Sequence, residues 1–503
     1  MKNKNNSGTD LYLNHSIISG RLALLLIGIV LMLLSDMRGS AGVFAWIMTV
    51  PFLIYSVLYR GFKNHLWLLL SLLLGSVLTL MKASSDPFFI SIGFSIMSGI
   101  VIGLRYFLVF LIWGYIRRRA GDLAGMIAFP SVIVCFEYLQ AFYLPFGDWG
   151  SLANTQLYNL PLLQTASLVG FLGISALIAW AAVLIASIIL AGSLAGRKVQ
   201  LSAFAVVFIV LLVYGDLRLD RVPEGKHINV AGIMVNNQFS GEFPDPDDPA
   251  VLAMNKSLLE KTARVADQGA AVVVWGEGST VMSEQGEPVF LKKLSALARE
   301  NNVSIVAAYA VLLKKKEQTP AVHFLNKFTW ILNNGEIGET YLKHHPVIGE
   351  GSRPGVKPLK LVHTEYGNMA GAICYDYDFP EMALTHSRLG ADLVLIPGMD
   401  WRGMLKRHTL MARIRAIEGG FSLFRSANGA TSMGFDNLGQ IRASMSDFGD
   451  NDKVLLASLP LKQNPTLYSR TGNVLAYLAI AALLVTVILS VRNHCRRKQE
   501  LSE

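Results

Sequence analysis

Apolar and polar positions divide this chain into a membrane-like beginning, a mixed middle and one apolar segment near the end. Uninterrupted apolar runs fall at Leu22–Leu34, Val43–Leu58, Leu66–Leu80, Ile90–Ile112, Met126–Phe142, Leu168–Leu190 and Leu201–Tyr214, with an eighth at Val474–Val491. Each predicts a membrane-spanning helix. Those shorter than ~20 residues must recruit flanking positions to span, so the expected number is eight, with seven or nine as alternatives.

From Asp220 to about Leu461 the pattern alternates. Strands are expected at Ile228–Val235, Ala271–Trp275, Ser304–Ala310, Phe324–Leu332, Ile337–Tyr341, Met369–Cys374, Leu393–Pro397, Ser422–Ala427, Ala430–Phe435 and Val454–Leu459. Asn333-Asn334-Gly335 marks a hairpin turn between two of them. Helices are expected after Pro249, from Pro288 to Arg299, after Pro380 and through His408–Glu418. Such alternation predicts a layered α/β domain. The expected organisation is a membrane domain over 1–219, an α/β domain over 220–465, and a last span with a basic cytosolic tail over 466–503.

Composition agrees with that division. The chain has 503 residues, 52% of them hydrophobic and only 16% charged, with a mean hydropathy of +0.41. It is too long for one ordinary domain and too apolar for a wholly soluble protein. The polar lead before Arg21 shows no small-residue cleavage site, so it reads as a cytosolic lead into the first span rather than a removable signal.

Charge then fixes the orientation. With the N-terminus inside, the cytosolic connections carry Arg60 and Lys63, Arg117-Arg118-Arg119, Arg197 and Lys198, and the tail Arg492, Arg496, Arg497 and Lys498. The opposite short connections hold only Arg38 and Lys82, balanced by Asp36, Asp86 and Asp148. This is the positive-inside asymmetry, and it places the α/β domain outside the cytoplasm. The net charge of +9 is thereby spread over topological anchors, which excludes a nucleic-acid surface. Three cysteines offer no disulfide framework.

Two spans carry ionisable residues, Arg105 and Glu137, which in a bilayer face protein or a wet cavity. A structural pair, snorkelling and substrate binding are all open for them. The outward stretch after the fifth span, with Pro145, Gly147, Trp149 and Pro161, reads as an interfacial loop or a re-entrant segment.

Candidate chemistry lies in the α/β domain. The strand before Cys374 ends in ICYDYDFPE, Glu277 follows the strand VVVW, and Lys343 follows the second hairpin strand. A cysteine nucleophile needs a proton acceptor and a cation for the developing oxyanion. All three groups sit just past strand ends, where α/β sheets place ligands. Singly, each has a bland explanation: a buried cysteine, a solvated glutamate, a surface lysine. In combination and in this order they point to catalysis.

On these motifs (WGE at Trp275–Glu277, LKHH at Leu342–His345, ICYDYDFPE at Ile373–Glu381) residues 228–460 resemble the carbon–nitrogen hydrolase, or nitrilase, superfamily. Met411–Ile441 is similar to that family's helix, strand and hairpin after the nucleophile. Seven spans before such a domain and one after it resemble the apolipoprotein N-acyltransferase branch, as do the outward Pro-Phe-Gly-Asp-Trp loop and Asp400-Trp401.

The resemblance implies an extracytoplasmic α-β-β-α sandwich with a Glu277–Lys343–Cys374 triad. Glu350 would orient Lys343 or the incoming amine, and Tyr375, Asp376 and Trp401 would shape the site. It further implies a monomeric inner-membrane bacterial enzyme, its catalytic domain facing the periplasm, that needs no metal or cofactor. That enzyme moves an acyl chain from a phospholipid to the N-terminal amine of a lipidated apolipoprotein. A membrane-tethered amidohydrolase and a non-enzymatic binding protein are the alternatives.

Three features depart from the branch: Gly276 where a proline is usual, a short segment from Lys343 to Cys374, and NNQFSGEFPDPDDP after the first strand.

Overall fold

Helices gather at the two ends of the chain and two β-sheets between them, in a computed structural model that describes residues 7–84, 89–221, 225–235, 243–448 and 453–500. The start of the polar lead, Asp86 and the first half of the stretch NNQFSGEFPDPDDP after the first strand lie outside the described residues.

Among the described residues six helices are long and apolar enough to cross a bilayer: Phe62–Met81, Ile92–Ala120, Asp122–Tyr143, Phe171–Ala191, Ala195–Leu219 and Val474–Glu500. The protein is therefore a multi-pass membrane protein. The first two expected spans take a different form. The first is the end of a helix that begins at Ser7. The second is broken into a 3₁₀ turn at Gly42–Trp46 and a helix at Val50–Leu58. Pro51 lies in the first turn of that helix, where its missing N–H costs nothing and its fixed φ starts a new helix.

The strands are β1 (Lys226–Ile233), β2 (Val272–Trp275), β3 (Val281–Ser283), β4 (Ser304–Leu312), β5 (Phe324–Ile331), β6 (Ile337–Leu342), β7 (Val362–His363), β8 (Asn368–Gly371), β9 (Leu393–Met399), β10 (Ser422–Asn428), β11 (Thr431–Phe435), β12 (Ile441–Ser446) and β13 (Val454–Leu461). One sheet runs β13-β1-β2-β4-β5-β6, with β3 pairing β4, and the other runs β12-β11-β10-β9-β8-β7. β1, β2 and β4 are mutually parallel, as are β8, β9 and β10.

Residue alternation then builds the layers. Val230, Val272, Val274, Val306 and Ala308 of the first sheet share a core with Met369, Leu393, Leu395 and Leu423 of the second. The opposite faces of the same strands, Ala231, Ile233, Val273 and Ile305, pack on Leu258, Val265 and Leu294 of two outer helices. The helices Pro380–Leu389 and Arg407–Gly419 pack against each other, and the second lies on β10 and β11. The expected α-β-β-α sandwich is the observed one. Period-2 side chains let each sheet bury one face on the other sheet and one on helices.

The expected hairpin joins β5 and β6 across Asn333-Asn334-Gly335. The sequence reading missed β3 and β7, which are very short, and β12, whose residues are largely solvent-facing.

Candidate active site

β8 stops at Gly371, three residues earlier than its apolar pattern suggests, and Cys374 opens a 3₁₀ turn over Cys374–Asp378. At that junction Cys374 takes φ 47°. L residues avoid this left-handed region, at a cost of order 1–3 kcal/mol, and such strain concentrates at functional turns. The thiol is aimed inward and donates to the Met399 carbonyl at 3.4 Å.

Two other strand ends bring their side chains to the same place. Lys343 is 2% exposed, and its Nζ lies 2.8 Å from Glu277 and 2.6 Å from Glu350. Asn326, inside β5, donates to both carboxylates, at 2.7 Å to Glu277 and 2.8 Å to Glu350. Ser352 and the Val347 amide complete the shell of Glu350. Burial penalises the charge on Lys343, but Glu277 and Glu350 hold it firmly protonated. For Glu350 burial favours the neutral acid, yet Lys343 wins and holds the carboxyl below its ordinary range. Burial, reinforced by Glu277, pushes the Cys374 thiol well up, against the pull of Arg425 and Lys343. Cys374 therefore rests as a thiol, which becomes nucleophilic only when a base takes its proton.

Gly276 has a local reason. A Cβ there would lie 2.3 Å from the Asn428 side chain, and the Gly276 amide donates to Ile233 at 3.0 Å. A proline would lose that bond and collide with the amide. Asn428 in turn donates to the Glu277 carbonyl at 2.9 Å, so the exchange of proline for glycine keeps Glu277 in place.

The supporting residues serve distinct ends. Asp376 accepts from the His344 and His345 amides at 3.0 and 2.7 Å, from Tyr341 at 2.7 Å and from the Ile373 amide at 3.0 Å. It ties the lysine turn to the cysteine turn. Tyr375 donates its hydroxyl to the Pro145 carbonyl at 3.0 Å. Trp401 donates to the Ala83 carbonyl at 2.7 Å and stacks over Trp149.

These last contacts come from the helical part. The loop after Tyr143 is largely buried, and intramembrane charges hold it. Arg105 donates to Gln140 at 2.8 Å and to the Gly150 carbonyl at 2.6 Å. Glu137 accepts from Ser151 at 2.7 Å and from the Leu152 amide at 2.9 Å. Among the described residues Arg105 and Glu137 do not form the structural pair that was one of their three open roles; each instead holds this loop separately. The loop abuts the cysteine turn: the Asp148 amide donates to the Asp378 carbonyl at 2.9 Å, and the Trp149 indole to the Asp378 carboxylate at 2.7 Å.

A buried cluster that sequence reasoning missed lies behind the thiol. Arg425 donates to Cys374 Sγ at 3.3 Å and to Asp400 at 2.8 and 3.2 Å. His408 sits between Asp400 at 2.6 Å and Asp378 at 2.9 Å. Burial alone would lower its pKa, but the two carboxylates raise it to about 9. Cys374, Asp400 and His408 bring potential ligand atoms within 4.8 Å of one another. The guanidinium and the imidazolium already supply the positive charge a cation would bring there.

Residues 28–184 match the family model described as apolipoprotein N-acyltransferase N-terminal domain, and residues 246–464 match that of carbon-nitrogen hydrolase. An apolipoprotein N-acyltransferase of Geobacter metallireducens is 27% identical over 439 residues, covering 81% of each chain. One from Bradyrhizobium diazoefficiens is 26% identical over 439 residues, covering 79% of this chain and 80% of its own. Among solved structures, an amidase from Nesterenkonia sp. superposes with a TM-score of 0.40 at 19% identity, covering 51% of this chain and 97% of its own.

Proposed function

We propose, from its similarity to apolipoprotein N-acyltransferases over about four-fifths of its length, that the chain moves an acyl chain from a membrane phospholipid to the N-terminal amine of a diacylglyceryl-cysteine lipoprotein, through a thioester on Cys374. The observation that carries this reading is the meeting of Glu277, Lys343 and Cys374 at one buried point, bordered by a loop of the helical part.

Glu277 takes the thiol proton as Sγ attacks the ester carbonyl. Lys343 and the Tyr375 backbone N–H stabilise the tetrahedral oxyanion. The ester C–O bond breaks, the proton passes to the departing lysophospholipid, and an acyl-cysteine remains. The acceptor amine then attacks that thioester, Glu277 takes its proton, the C–S bond breaks, and Glu277 returns the proton to the released Cys374 sulfur: a ping-pong cycle. Glu350 keeps Lys343 oriented, Asp376 holds the two turns together, and Tyr375 and Trp401 fix the site against the helical part. The cycle uses one chain and no cofactor.

The same reading assigns 1–219 to the membrane domain, 220–465 to catalysis and 466–503 to the last span and its tail. The chain would lie in the bacterial inner membrane with the site on the periplasmic side, supported by the basic connections Arg117-Arg118-Arg119 and Arg197-Lys198 and the C-terminal basic tail. Both lipid-anchored substrates would then reach the site laterally from the bilayer.

Incubating the purified protein with phospholipid and a synthetic diacylated lipopeptide tests the reading. A lipopeptide gaining the mass of one amide-linked acyl chain is expected. Release of free fatty acid with no triacylated product would replace the acyltransferase with a hydrolase.

A further inference from the structure

The geometry points to Arg425 as a fourth catalytic group, the counter-ion of the Cys374 thiolate, with Lys343 left to the oxyanion. This rests on the reading of Cys374 as the nucleophile. Lys343 is held between Glu277 and Glu350, and its two bonds aim the ammonium at carboxylates. Among the described residues the one cation that hydrogen-bonds the sulfur is Arg425, through Nη2 at 3.3 Å.

The guanidinium is built into place. It is 1% exposed, and its Nη1 donates to Asp400 at 2.8 Å and to Thr409 at 2.8 Å. It lies flat on β9 where that strand has Gly398; a Cβ at that position would come within 3.0 Å of it. Behind it, protonated His408 and the carboxylates of Asp400 and Asp378 bring the cluster to neutrality while Cys374 is a thiol. Proton loss from the sulfur therefore adds one negative charge beside a fixed cation. Such an arrangement favours the charged sulfur, because an opposite charge within ~4–6 Å shifts a pKa by about 1–3 units.

The role recurs in both halves of the cycle. In acylation Arg425 stabilises the sulfur as Glu277 removes its proton and the C–S bond forms. In the second half the amine–carbon bond forms, the C–S bond breaks, and the electron pair returns to a sulfur facing the same guanidinium. A thiolate leaving group that is stabilised leaves faster.

The charged groups that face the sulfur are Glu277, Lys343, Asp400 and Arg425 and His408, whose ring brings a nitrogen within 4.8 Å of it, with Asp378 behind His408. The test uses the full-length protein in detergent. The rate of iodoacetamide addition at Cys374, followed by mass spectrometry of its peptide, is measured against pH for the parent, Arg425→Met and Arg425→Lys. Removing the cation should raise the titration midpoint of the thiol by about one pH unit or more. Arg425→Lys, which keeps the charge but not the forked donors, should fall between. Acyl transfer should drop in the same order, Arg425→Met by roughly tenfold or more.

An unmoved midpoint in Arg425→Met would overturn the assignment even if activity fell, because a merely structural arginine would leave the thiol where it was. Should Arg425→Met fail to fold, Arg425→Gln, which keeps polar donors but carries no charge, decides in the same way. Failure of the underlying reading looks different: Cys374→Ser would then retain acyl transfer whatever the Arg425 variants do.

Discussion

The indole of Trp149 donates a 2.7 Å hydrogen bond to the carboxylate of Asp378, which joins a loop of the helical part to the turn that carries Cys374. Asp378 passes the link inward through His408 and Asp400 to Arg425. A residue of the helical part is thus connected to Cys374 by an unbroken chain of buried charged and hydrogen-bonded groups.

Cutting that link at its outer end is expected to slow acylation without unfolding the protein. A hydrogen bond to a charged group contributes roughly 1.5–3 kcal/mol, equivalent to about tenfold or more in rate if it is needed in the transition state. Trp149→Phe keeps the ring packing on Phe94 and Trp401 and removes only the donor. Stopped-time acylation of Cys374 in Trp149→Phe should therefore be roughly tenfold slower, with a melting temperature lowered by only some degrees and a cooperative transition retained.

Gly276 gives a stability prediction. Gly276→Ala would press a methyl group into the Asn428 side chain, and overpacking of a filled interior costs typically about 1–3 kcal/mol. Gly276→Pro would in addition lose the amide donated to Ile233. The expected order of melting temperatures is parent above Gly276→Ala above Gly276→Pro. If proline were neutral, the glycine would not owe its place to Asn428.

The buried His408 sets a pH dependence. Its pKa is raised to about 9 in the folded protein, against about 6.5 in an unfolded chain. A raised pKa means that the folded state binds the proton more tightly. The stabilisation is complete below about pH 6.5 and disappears as pH climbs through about 9. Melting temperatures of the parent and His408→Gln should accordingly differ by several degrees at pH 6 and converge toward pH 10. A gap that widened with pH would give His408 the opposite charge state.

Much of this site is legible in the chain. Glu277 and Cys374 each follow an apolar strand, Lys343 follows the second hairpin strand, and strand ends converge in a layered α/β domain. Arg425 and Asn326 leave a fainter trace: Arg425 is the one charged residue of the buried strand SLFRSAN, and Asn326 stands beside Lys327 in the largely buried strand FLNKFTWI. A buried strand that carries one arginine or asparagine owes that group a partner, and this signal could have flagged both.

The docking of the outward loop was not legible. FGDWGSLANTQ has the turn formers and aromatics of an interfacial belt, and only the three-dimensional positions of Arg105, Glu137 and Gln140 show that its carbonyls and amides are satisfied inside the protein. The early end of β8 escaped for a related reason. An apolar pattern records burial, and Ala372 and Ile373 stay buried after the strand has given way to the turn.

The central claim is that Cys374 carries the acyl group between donor and acceptor. Its most direct measurement is the mass of the full-length protein after incubation with a phospholipid of known acyl composition and no acceptor, followed by a chase with diacylated lipopeptide. The account predicts a single acyl adduct on the Cys374 peptide that hydroxylamine removes, that is absent in Cys374→Ser and Glu277→Gln, and that passes to the lipopeptide amine during the chase. Triacylated lipopeptide formed by Cys374→Ser, or an adduct that persists through the chase, would contradict it.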